Sequence, residues 1–174
     1  MKRRTLLCLP ALLAACTEDP VTDYLGGVGD PIRGAALWAP RNLGDMSRWN
    51  GDPAGAAIAA AQLEFLARSL RENPAVSPDI NPAVTQTLDA AVLELRAALG
   101  IDPRVPNQDI EILLRRAGEA LRDGSPARAE AALSGPNFLV PPQEVIRRLG
   151  SLPRLRQVQA AAGMAANAIL SRRR

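Results

Sequence analysis

Arginines beside carboxylates are the most frequent chemical pattern in the chain. Glu64–Arg68, Arg68–Glu72, Glu111–Arg115, Arg115–Glu119 and Glu144–Arg148 each stand four residues apart, the spacing at which side chains meet on one face of a helix. Such pairs read as solvated ion pairs contributing about 0.2–0.5 kcal/mol each, not as an acid and base poised for catalysis. Histidine is absent. That removes imidazole bases, His-containing triads and His-containing zinc sites together. No Ser sits in a Gly-x-Ser-x-Gly context, and Gly26-Gly27-Val28-Gly29 neither follows a strand nor opens a helix, as a phosphate cradle would. The sequence therefore predicts no catalytic residue, no metal site and no cofactor. A hydrolase built from two carboxylates that meet from distant positions is the one enzymatic alternative.

Two clusters could bind rather than react. The first holds both tryptophans, Trp38 and Trp49, among Leu37, Arg41, Leu43, Met46 and Arg48. It reads either as a drape capping a helical core or as an aromatic and arginine surface for a glycan or protein partner. The second is the C-terminal stretch, where Arg147, Arg148, Arg154, Arg156, Arg172, Arg173 and Arg174 occur with no acid after Val145. This is either a solvated helix end or a contact for anionic lipid phosphate, at about 1 kcal/mol per arginine near the surface. Its middle is uncharged, so the continuous basic face of a helix lying in the membrane interface is not expected.

The elements that must carry these residues are helices. Asp52-Pro53 and Asn81-Pro82 pair an N-cap acceptor with Pro at the first helical position. After the first, Ala59, Leu63, Leu66 and Leu70 recur at helical spacing, widened by Ile58 and Phe65; after the second come Val84, Leu88, Val92, Leu95 and Leu99, stopped at Gly100. Asn107 is expected to cap a third helix through Ile110, Leu114, Ala117 and Leu121. Ser125-Pro126 opens a short fourth, Pro141-Pro142 a fifth with Val145, Ile146 and Leu149, and Ser151-Leu152-Pro153 a last one through Leu155, Val158, Ala162, Ala165 and Ile169. No comparable stretch alternates with period two. An all-α, irregular bundle of about five to six helices over 53–174 follows, preceded by a Gly- and Pro-containing tether over 16–52. Ala117 to Leu133 resembles the helix-turn-helix junction of a tetratricopeptide repeat, but lacks its aromatic positions and a second copy about 34 residues away.

The start of the chain has its own logic. Lys2, Arg3 and Arg4 precede an apolar run from Leu6 to Ala15, about 15 Å as a helix against a hydrocarbon core of about 30 Å. A charged start, a short apolar stretch and small residues mark a secretory signal over 1–15. Leu13-Ala14-Ala15-Cys16 resembles the lipobox of bacterial lipoproteins. The resemblance implies cleavage before Cys16, a diacylglyceryl thioether on Cys16, usually an added acyl chain such as palmitate, and a membrane anchor. Thr17, where that family's inner-membrane proteins commonly carry Asp, implies the outer membrane, facing the periplasm. Removal of the signal takes three of the 21 basic residues and leaves all 18 acidic ones, so the remaining chain is neutral and nucleic acid is not an expected partner. With Cys8 removed and Cys16 acylated, neither of the two cysteines is left for a disulfide. The expected function is a non-enzymatic, lipid-anchored scaffold or interaction module of the cell envelope with a protein partner. The alternative is a carrier holding an apolar ligand between helices.

Overall fold

The computed structural model describes residues 30–172. Seven α-helices, with no strand among the described residues, make an all-α bundle. In chain order they are α1 (Pro31–Leu43), α2 (Pro53–Glu72), α3 (Pro82–Leu99), α4 (Asn107–Arg122), α5 (Pro126–Ala132), α6 (Pro142–Leu149) and α7 (Arg156–Ser171), with 3-10 turns at Met46–Trp49 and Ser77–Asp79. Cys16, the signal over 1–15, the first part of the tether, Arg173 and Arg174 lie outside the described residues.

The bundle is organised around α2. From Ala54 to Leu70 every residue but Arg68 is buried, as expected of a helix with alanines filling the positions that would otherwise face water. It contacts α1, α3, α4 and α6. The closest crossing is with α4, where Gly118 stands in for a larger residue: a Cβ there would come 2.8 Å from Ile58 Cδ1 and 3.1 Å from the Ala54 carbonyl oxygen. The expected stripes of α2, α3 and α7 all face the core, including Leu63, Leu66, Leu88, Leu95, Val158 and Ile169.

The boundary expected at residue 53 moves. Residues 31–43 form a helix rather than irregular tether, and Ala35, Ala36, Ala39 and Leu43 are fully buried against α2 and α7. Asp30 caps it, its carboxylate accepting from the Ile32 N–H at 3.0 Å, and Pro31 takes the first helical position. Pro40 and Gly34 weaken this helix intrinsically, so tertiary burial of its alanine face holds it.

Two expected starts also shift. Asn107 does not cap α4; its Oδ1 accepts from the Arg96 guanidinium at 3.2 Å instead. The last helix begins at Arg156, not near Ser151. There the Glu94 carboxylate of α3 accepts from the backbone N–H groups of Arg156, Gln157 and Val158 at 3.2, 2.8 and 3.2 Å, so a neighbouring helix supplies the cap that the local sequence lacks. An isolated bridge of Ile101 to Phe138 ties the α3–α4 connection to the α5–α6 connection.

Candidate functional site

Charged groups divide the molecule. Of the expected same-helix pairs, only Glu144–Arg148 is an ion pair among the described residues, at 2.7 Å, with Arg147 joining at 2.6 Å. The other carboxylates look across helices. Glu64, expected on a solvated face, is wholly buried and pairs with Arg96 of α3, Nε to Oε1 at 2.8 Å and Nη2 to Oε2 at 2.7 Å. Arg96 is 1% exposed. Its Nη1 also donates to the carbonyl oxygens of Val105 at 2.7 Å and Pro103 at 3.2 Å. Burial raises the Glu64 carboxyl above its ordinary value, with the Arg96 guanidinium pulling the other way. Arg68 turns to Glu111 on α4 at 3.0 Å, with its guanidinium over the Phe65 ring. These are internal ties between α2, α3, α4 and the α3–α4 connection. Arg68 and Asn107 also line a small cleft of about 210 Å³, with Arg71, Glu72 and Gln108 beside them.

The C-terminal arginines are largely engaged within the chain. Arg147 and Arg148 clamp Glu144, and together they hold its carboxyl down at about 2. Arg154 pairs with Asp45 at 2.9 Å. Arg172 reaches Asp79 at 3.0 Å and donates to the Ala75 carbonyl oxygen at 2.6 Å. Arg156 contributes its backbone N–H to Glu94. The surface expected over 145–174 is thus one in which four of the arginines already meet a carboxylate, at three separate places in the fold.

The tryptophan segment is built differently. Gln62, buried on α2, donates from Nε2 to the Ala35 carbonyl oxygen at 2.7 Å and accepts from Asn42 Nδ2 at 2.8 Å. The Asn42 carbonyl oxygen in turn accepts from the Trp49 indole N–H at 2.9 Å. This chain of polar contacts fastens α1 and the Met46–Trp49 turn onto α2. Gly55 admits the Trp49 ring, since a Cβ there would lie 2.5 Å from ring carbons. Trp49 is therefore half-buried and fixed, and the Arg48 guanidinium stacks over it at 5.0 Å. Trp38 points outward, 42% exposed, next to exposed Leu37, with the Arg41 guanidinium 5.2 Å from its ring centroid.

Arg41 and Arg48 share the rim of a cleft of about 620 Å³, with Pro40, Gly44, Asp45, Gln159 and Gly163 completing its lining. Arg48 Nη1 donates to the Arg41 carbonyl oxygen, which ties the Met46–Trp49 turn to the end of α1. Among the described residues neither has a carboxylate within ion-pair distance. Asp45, the one acid in the lining, is taken up by Arg154 and by the Ser47 hydroxyl at 2.6 Å, and these contacts lower its carboxyl pKa, Ser47 foremost.

No protein-family model, curated protein or solved structure matches the chain.

Both readings of the tryptophans meet part of the geometry: Leu43 and Met46 are buried and Trp49 half-buried as a cap would be, while Leu37 and Trp38 face solvent. Sequence reasoning missed Arg96, Gln62 and the pairing of Arg41 with Arg48. Gln62 and Glu64 interrupt the otherwise apolar run from Ala54 to Ala67, and that interruption was the available signal. Among the described residues no three His, Cys, Asp or Glu side chains gather as a metal site, and no helix is long and apolar enough to cross a membrane.

Proposed function

We propose that the chain is a lipid-anchored lipoprotein of the bacterial cell envelope, held through acylated Cys16, whose helical domain is a non-enzymatic interaction module. The observation that carries this reading is the segment following the tether: α1 is locked into the core by its alanine face and by Gln62, yet it turns Leu37, Trp38 and Arg41 outward. A rigid helix displaying an aromatic and a stacked arginine suits a binding surface, because little side-chain freedom is lost on contact. The Leu13-Ala14-Ala15-Cys16 tetrad supports the anchor and Thr17 the outer membrane, facing the periplasm. Two measurements test the reading. Cys16→Ala should abolish labelling by a palmitate analogue and leave uncleaved precursor; unchanged labelling refutes the anchor. Crosslinking in cells followed by mass spectrometry should recover an envelope protein through residues near Trp38, and Trp38→Ala should remove that product. A crosslink pattern indifferent to Trp38→Ala refutes the interaction surface.

A further inference from the structure

The cleft between α1, the Met46–Trp49 turn and α7 has three properties that the fold itself does not require. Its rim carries two guanidiniums with no carboxylate partner among the described residues. Each lies over one of the chain's two tryptophans, Arg41 5.2 Å from the Trp38 centroid and Arg48 5.0 Å from that of Trp49. Stacking occupies the face of a guanidinium and leaves its N–H edge, the part that grips a carboxylate in a two-point fork; Arg48 spends Nη1 on the Arg41 carbonyl oxygen, and its Nε and Nη2 remain for such a fork. Counting Arg154 against Asp45 as neutral, the lining is left with the positive charge of Arg41 and Arg48.

The third property is Gly163. It lies inside α7, where glycine is unfavourable relative to alanine, its φ is not positive, and a Cβ built on it would meet nothing within 4 Å. No internal neighbour accounts for the missing side chain. The vacancy opens into the cleft. One turn earlier on the same helix, exposed Gln159 presents an amide carrying both donors and an acceptor, a match for a peptide group.

We propose that this cleft binds an extended peptide through a free carboxylate, with Arg41 and Arg48 gripping the carboxylate and the peptide backbone passing over Gly163 beside Gln159. The proposal names the ligand chemistry of the interaction module. A failed palmitate-labelling experiment would remove the anchor and leave this binding prediction intact.

Trp38 and Trp49 are the only tryptophans, and each is stacked under one of the two arginines, so intrinsic fluorescence reports directly on the site. The full chain in non-ionic detergent is titrated with three probes: acetyl-trialanine bearing a free carboxylate, the same peptide as its C-terminal amide, and a glucuronate-containing disaccharide. The free acid should shift the emission saturably, at least about tenfold more tightly than the amide. Arg41→Gln and Arg48→Gln should each weaken it by about tenfold or more, and Arg41→Lys by less. Gly163→Leu should block binding while the protein melts no lower than wild type, which keeps the test valid even if Arg48→Gln disturbs folding. Equal binding of acid and amide, no saturation by about 10 mM, or wild-type affinity in Gly163→Leu overturns the proposal. Tighter binding of the disaccharide than of the peptide overturns it in favour of an acidic-sugar site.

Discussion

Arg96 and Arg41 are the same side chain in opposite settings. Arg96 is buried beside Glu64, Val105, Pro103 and Asn107 and has its N–H groups answered by the protein. Arg41 lies on an indole at the surface, with no carboxylate of the described residues within ion-pair distance. A buried guanidinium must be satisfied or it unfolds its surroundings, whereas an exposed one can stay unpaired because water solvates it. The first setting ties the α3–α4 connection to the central helix. The second keeps hydrogen-bonding capacity for something outside the chain.

The sharpest way to break the contrast is to remove the buried charge. Arg96→Met leaves Glu64 buried without its partner and should cost about 3–5 kcal/mol in urea unfolding. The double change Glu64→Leu with Arg96→Met should recover most of that loss, because a buried ion pair is often replaceable by packed apolar groups. A double mutant as unstable as Arg96→Met would mean that the carbonyl contacts, and not the pair, hold the connection. Next comes the borrowed cap. Glu94→Ala uncovers the first N–H groups of α7 and should cost about 1 kcal/mol, read as a lower melting temperature.

Acid separates the surface pairs from the buried one. Glu144 titrates at about 2 against 4.5 for the unperturbed group, and Asp102, beside Arg104, at about 2 against 3.8. Both are depressed, so their contribution is present above the unfolded value and is lost as pH falls through the folded one. Glu64 is shifted the other way by burial, so it does not add to that acid loss. Glu144→Gln should therefore flatten the decline in urea midpoint between pH of about 4.5 and 2 relative to wild type; an unaltered slope would place the acid sensitivity elsewhere. The smallest effect belongs to Arg41. Its replacement by Gln should alter stability by no more than about 0.5 kcal/mol, and a larger loss would make its stacking on Trp38 structural.

The apolar stripes were readable because α3, α4 and α7 each bury one face, and helical spacing records a one-sided environment faithfully. The segment 31–43 was not, although Asp30-Pro31 repeats the start signal of Asp52-Pro53 and Asn81-Pro82. Pro40 and Gly34 argue locally against a helix, and alanines such as Ala35 and Ala39 leave no bulky periodic trace. Glu64 and Arg68 looked like a surface pair because four-residue spacing carries no information about a second helix. Their actual partners, Arg96 and Glu111, come from α3 and α4. The cleft was half legible: Trp38, Trp49, Arg41 and Arg48 fall in one short stretch, but Gln159 and Gly163 reach it only through the packing of α7 on α1.

That packing imposes a delay on the newborn chain. α1 and α7 are separated by roughly 110 residues, which at about 5–20 residues per second amounts to roughly 6–20 s of synthesis. Throughout that interval Ala35, Ala36 and Ala39 lack the helix that will cover them. Within the helical domain, a holding chaperone would thus find its earliest foothold at residues 31–43.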